Sequence, residues 1–94
     1  MTSLPSPSEL LVPMIIAINA NGGQLNHKEI EIHVAHLLQI PDSMRNLIRT
    51  GARTELNYRL SWSRTKAKNL GYLEKLGNGN WSLTESGKNY LAQI

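Results

Sequence analysis

The sequence has 94 residues, one domain's worth, and no cysteine, which excludes disulfides, thiolate metal sites and a cysteine nucleophile together. No apolar run approaches a membrane span, and the opening Met1-Thr2-Ser3-Leu4-Pro5 lacks the basic-then-apolar order of a signal peptide, so the cytoplasm is the expected compartment. Net charge is only +3, yet Arg45, Arg49, Arg53, Arg59, Arg64, Lys66 and Lys68 face the single acid Glu55, a local +6, while the remainder sums to −3. A field of that shape suits a polyanion on one face; the alternative is a solvated helix face that happens to be basic.

Residues 1–7 read as an extended lead-in, because prolines disfavour helix at the residues before them. Ser8 is expected to cap a first helix, with Glu9 in its first turn and Leu10, Leu11, Met14, Ile15 and Ile18 along one face. Pro13 removes one backbone donor from that helix and should bend it, and Asn21-Gly22-Gly23 should end it. Gln24-Leu25 suits a short extended bridge. Asn26 and Glu29 have capping-box spacing before a second helix with Ile30, Val34, Leu37 and Leu38 as its buried stripe. Pro41 stops this helix, and Asp42 is expected to cap a short third one through about Ile48, with Met44, Leu47 and Ile48 inward.

Thr54-Glu55 opens the longest helix, with Leu56, Leu60, Ser63, Ala67 and Leu70 on one face and Gly71 as its stop. Two extended runs, Tyr72–Leu76 and Trp81–Leu83, then flank Gly77-Asn78-Gly79-Asn80, the residue types a tight hairpin turn needs. Thr84 caps a last short helix anchored by Tyr90 and Leu91. This order is that of a helix-turn-helix followed by a two-stranded wing. The expected fold class is mostly α with a small β-hairpin, a winged helix-turn-helix: one domain over 1–94 with a three-helix core, wing and C-terminal helix.

The chain resembles the N-terminal winged-helix domain of Mrr-type restriction endonucleases. The resemblance rests on Leu10-Leu11-Val12-Pro13, Gly22-Gly23, Lys28-Glu29-Ile30, Arg59-Leu60-Ser61-Trp62-Ser63-Arg64 with Leu70-Gly71-Tyr72-Leu73, and Gly79-Asn80-Trp81-Ser82-Leu83-Thr84-Glu85-Ser86-Gly87. It covers about Leu4 to Leu91. Tyr58 stands where the family usually carries Asn, and Ala67 where a larger aliphatic is common. The resemblance implies DNA recognition without cleavage, since family members usually continue into a separate nuclease domain. The seven acidic residues here are scattered over different elements and offer no metal-binding cluster.

At about 100° per residue, a helix that points Leu56, Leu60 and Ala67 inward points Tyr58, Ser61, Thr65 and Asn69 outward, with Lys66 and Lys68 on the flanks and Arg59 and Arg64 near the core boundary. Short polar groups there would reach base edges, and long cations would reach phosphates. The expected DNA-binding residues are Arg49, Arg53, Tyr58, Ser61, Arg64, Thr65, Lys66, Lys68 and Asn69, with Asn78 and Asn80 at the wing tip and weak help from Lys75. Turn chemistry alone also explains the two wing asparagines. Trp62 is expected to pack against the hairpin or the first helix, because an indole usually buries most of its area, with stacking on a sugar or a dimer contact as the alternative. Arg59 is expected to cover that ring or pair with Glu55. His33 and His36 lack a third ligand nearby, so they read as surface or boundary histidines.

These residues point to a DNA-binding module of a restriction-system-like or regulatory protein. The helix 54–70 would enter the major groove with the wing 72–83 alongside. Double-stranded DNA is the expected partner, with a homodimer or a nuclease subunit completing the assembly. No cofactor, metal, membrane or small-molecule substrate is expected, and no catalysis. The alternative is a protein-interaction or dimerisation winged helix anchored by Tyr58, Trp62 and Tyr72. A stand-alone enzyme is the weakest reading, for want of a convergent acid, base or metal set.

Overall fold

A computed structural model of the chain describes residues 3–94; the first two residues of the lead-in lie outside the described residues. Helix α1 spans Pro7–Ala20 and runs across Pro13 without a break. Its cap is Ser6, ahead of the expected Ser8: Ser6 Oγ accepts from the Glu9 N–H and the Glu9 carboxylate accepts from the Ser6 N–H. Pro7 occupies the first helical position, where no N–H is needed and a fixed φ suits the helix. Asn21 ends α1, and Gly22 and Gly23, both at positive φ, turn the chain into the two-residue strand β1, Gln24–Leu25.

Helix α2, His27–Leu37, carries the expected capping box of Asn26 and Glu29. Ile30, Val34 and Ala35 are its buried residues, whereas Leu37, expected in the stripe, is exposed. Helix α3 covers only Asp42–Arg45, and Pro41 rather than Asp42 is its cap. The chain then leaves the helical path. Ile48–Thr50 (β2) pairs antiparallel with Arg53–Thr54 (β3), and the Glu55 N–H donates to the Leu47 carbonyl. Leu47 and Ile48 are therefore 51% and 60% exposed instead of inward, and Met44 alone of that expected trio packs on the core. Spacing by three and four over so few residues fits a helix face, but the backbone partners here are in the hairpin.

Helix α4, Glu55–Asn69, starts at the Thr54 cap and buries Leu56, Leu60, Ser63, Arg64 and Ala67. Gly71, at φ 84°, stops it, which leaves Leu70 exposed beyond the stripe. Strands β4 (Leu73–Lys75) and β5 (Trp81–Leu83) form an antiparallel hairpin with Leu73 opposite Leu83 and Lys75 opposite Trp81. β1 adds to the other edge of β5, giving the order β1-β5-β4. Helix α5, Glu85–Ala92, is capped by Thr84. The molecule is mostly helical with two small antiparallel sheets.

The core joins Leu10, Met14, Ile15 and Ile18 of α1 to Ile30 and Val34 of α2, Leu56 and Leu60 of α4, and Leu73 of β4, all fully buried. Each contributes about 1.5–3 kcal/mol in transfer from water, so these nine side chains dominate the packing energy. α1 lies against both α2 and α4, while α5 closes on α1. One side of α4 is thereby fixed to the core, which decides which of its residues remain available.

Candidate nucleic-acid interface

Thr65, Lys66, Lys68 and Asn69 are exposed along the second half of α4. Thr65 Oγ1 donates to the Ser61 carbonyl, 3.1 Å away, and Ser61 Oγ donates to the Tyr58 carbonyl at 2.6 Å. Both hydroxyls keep lone pairs free to accept, but their protons are spent on the helix's own backbone. Trp62 is 54% exposed, so the expectation that it packs against the wing hairpin or α1 is not met. Its described aromatic neighbour is Tyr58, edge-on at 6.4 Å between ring centres.

Tyr58 is half-buried, covered from the β2–β3 hairpin. The Arg49 guanidinium lies over its ring at 4.0 Å and that of Arg53 at 5.4 Å. Arg53 also donates from Nε to Asn57 Oδ1 at 3.2 Å. Arg45, Arg49 and Arg53 step by four in sequence but lie on three elements: Arg45 closes α3, Arg49 is in β2 and Arg53 opens β3. The two later arginines converge on α4 from outside the helix.

The flank of α4 nearest α1 is structural. Arg59 pairs with Glu55 at 3.3 Å, as one sequence expectation had it, and also donates to the Leu4 and Pro5 carbonyls. Ser63 Oγ donates to the Pro7 carbonyl and Lys66 Nζ reaches Ser8 Oγ at 3.4 Å. Glu55 is shared by Arg49 and Arg59. Among the described residues, Arg45, Arg53, Arg64, Lys66 and Lys68 have no carboxylate within ion-pair distance.

Arg64 is the largest departure from an outward-facing set. It is only 7% exposed, and its guanidinium lies over the Trp81 ring at 5.5 Å. Its Nε and Nη1 are buried without a hydrogen-bond partner. Burial, then the neighbouring charge of Arg53, lower its pKa to about 10 against an opposing pull from Glu31, so it stays cationic at neutral pH. Arg64 lines a groove of about 510 Å³ with His27, Lys28, Glu31, Arg53 and Asn57. Glu31 is engaged elsewhere, accepting from Thr54 Oγ1 at 2.7 Å and from Asn57 Nδ2 at 3.2 Å. His27 is held below its usual pKa, first by desolvation and then by the charges of Arg64 and Lys28, and is neutral at pH 7.

His27 and Lys28 were not among the residues expected at the interface. For Lys28 the signal was present in the sequence: a cation in the first turn of a helix opposes its dipole, where acids are normally favoured. At the β4–β5 turn, Asn78 Oδ1 accepts from the Asn80 N–H and Asn80 Nδ2 donates to Gln24 Oε1, so both asparagines serve the turn and its β1 neighbour. Lys75 lies 5.8 Å from the Trp81 ring centre. Tyr72 stacks on Tyr90 at 4.4 Å, an internal pair. His33 is half-buried and His36 exposed on α2.

The described surface therefore presents a polar, acid-poor strip on α4, flanked by a hairpin carrying two arginines. Residues 8–93, nearly the whole chain, match the family described as the Mrr N-terminal domain. The chain belongs to the Mrr N-terminal domain family. Membership ties it to restriction systems, and the family is that of an N-terminal domain rather than a catalytic one. No curated protein and no solved structure matches the chain. No helix of the described residues of this Mrr N-terminal domain is long and apolar enough to cross a membrane.

Proposed function

We propose that this Mrr N-terminal domain is a winged-helix module that binds double-stranded DNA and leaves any catalysis to a partner. The observation that carries the reading is that Arg45, Arg53, Arg64, Lys66 and Lys68 gather on and before α4 without carboxylate partners among the described residues. The strand order β1-β5-β4 and the packing of α2 against α4 support the winged-helix part. In this reading α4 enters the major groove with Ser61, Thr65 and Asn69 toward base edges, Lys66 and Lys68 toward phosphates, and the β4–β5 wing alongside. Phosphate neutralisation supplies affinity and base-edge contacts supply selectivity. A cytoplasmic location and assembly as a homodimer or with a nuclease subunit complete the proposal. The test is fluorescence anisotropy on a labelled duplex over a salt series. Steep weakening with salt is expected, and a flat response would overturn the reading.

The exposed Trp62 beside Tyr58 favours a second reading, docking of a protein partner. Lys66→Glu with Lys68→Glu separates the two. DNA binding should collapse in that variant, whereas docking through the aromatics should survive and be lost in Trp62→Ser.

A further inference from the structure

One of the cations gathered on α4 differs from the outward strip: Arg64 is buried, with two guanidinium nitrogens that have no hydrogen-bond partner. Arg64 keeps two nitrogens unsatisfied at 7% exposure, although a buried charge without partners is among the costlier things a small core can hold. Its ring-facing side is met by Trp81. The third guanidinium nitrogen, Nη2, is not closed off in this way, and Arg64 lines the groove that opens between the starts of α2 and α4.

The other walls of that groove are of one character. The first turn of α2 supplies His27 and Lys28. Of its four initial N–H groups, Glu29's goes to Asn26 Oδ1 and Ile30's to the Asn26 carbonyl, which leaves those of His27 and Lys28 outside the cap. Arg53 lines the groove as well. Glu31 is the one acid there, and its carboxylate is occupied by Thr54 and Asn57. Lys28, Arg53 and Arg64 against Glu31 leave an excess of two positive charges with His27 neutral. Free N–H groups at a helix start and a planar guanidinium together fit a tetrahedral oxyanion.

We propose that this groove is a seat for a single phosphoryl group, gripped by Arg64 from below and by the first turn of α2 from the side. The proposal deepens the DNA-binding reading and rests on it for the source of the phosphate. That source is either a phosphodiester of the duplex backbone or the terminal phosphomonoester of a DNA end. Arg64 moves slightly off Trp81 to give Nη1 as well as Nη2 to the ligand. His27, whose Nδ1 lies 3.5 Å from Asn57 Nδ2 and which faces the charges of Arg64, Lys28, Arg53 and Glu31, gains an anion among these neighbours, so its pKa rises on binding.

The experiment follows the Arg64 Nε–H and the His27 ring by NMR while inorganic phosphate, a blunt duplex with 5′-hydroxyl ends, and the same duplex with 5′-phosphates are added in turn. Phosphate is expected to shift both resonances and raise the His27 pKa. In Arg64→Met its apparent Kd should rise at least tenfold, and in the surface variant Lys28→Ser several-fold. A response to both duplexes assigns the seat to a backbone phosphodiester, whereas a response to the phosphorylated duplex alone assigns it to a DNA end. If a duplex shifts Thr65 and Asn69 but neither reporter in the groove moves with any of the three ligands, the seat is overturned and DNA binding stands. If phosphate fills the groove and no duplex binds, the DNA-binding reading fails and the seat stands.

Discussion

The Arg49 guanidinium lies 4.0 Å from the centre of the Tyr58 ring while reaching the Glu55 carboxylate at 3.4 Å. One side chain thus clamps the β2–β3 hairpin onto α4 at two points. A double-mutant cycle of Arg49→Ala and Tyr58→Leu should give a coupling of about 0.5–1 kcal/mol in urea unfolding, the range for a partly exposed cation–ring contact. Strict additivity would show that the contact does not hold the hairpin.

Salt sensitivity should be steep and divisible. If Arg45, Arg53, Arg64, Lys66 and Lys68 each neutralise one phosphate, the slope of log K against log salt is about −4.5, at roughly 0.9 per contact. Lys68→Ala should make that slope shallower by about 1 and weaken binding equally on all sequences. Asn69→Ala should instead leave the slope unchanged and alter preference among duplexes.

Arg64→Met should not unfold the protein. The substitution puts an apolar side chain where a buried charge has two nitrogens without hydrogen-bond partners, so the cost of holding that charge in the core is removed. Thermal unfolding without DNA should therefore give a Tm equal to or above that of the parent. A clear fall in Tm would make Arg64 a structural residue.

Gly87→Ala should destabilise despite the better helix propensity of alanine. A Cβ at Gly87 would run into the Tyr72 carbonyl oxygen and come within 2.6 Å of Leu83 Cδ1, so α5 must shift away from the hairpin. Overpacking of this kind costs about 1–3 kcal/mol, above the roughly 1 kcal/mol that propensity returns. Chemical denaturation measures the difference.

Acid should weaken the fold through His27. Its pKa is depressed in the folded state, so its contribution to stability is present above the unfolded value of 6.5 and is lost as pH falls through the lower folded pKa. Lowering the pH from 7 toward 5 should reduce the urea midpoint, and His27→Gln should flatten that part of the profile. Low pH should have the opposite effect on DNA affinity, because protonated His27 adds a positive charge to the groove.

Local chemistry made most of the architecture readable. The Asn26–Glu29 box, the Thr54 and Thr84 caps and the Gly71 stop are each decided by groups within three or four residues, and all lie where the sequence places them. Pro7 misled because a proline suits both an extended lead-in and a first helical turn. Leu47 and Ile48 misled because their spacing fits a helix face, while their backbone is used by a hairpin whose other strand is only two residues long. At the site, Lys68 and Asn69 follow from helical rotation alone. Arg64 does not: it borders the core by rotation, and the ring its guanidinium meets is Trp81, on a strand formed far along the chain. Tyr58 and Trp62 exchange their expected roles for the same reason, since a hairpin absent from the sequence reading covers one and leaves the other open.

The bonds from Arg59 to the Leu4 and Pro5 carbonyls, and from Ser63 to that of Pro7, fasten the lead-in along α4. A purification tag or fluorophore fused ahead of residue 3 would start at the edge of the surface that assays must leave clear. Attached beyond Ile94, which is well exposed after α5, the same label would hang from a helix that packs on α1. Capture chips and labelled probes made from this domain should therefore be tethered by the carboxyl end.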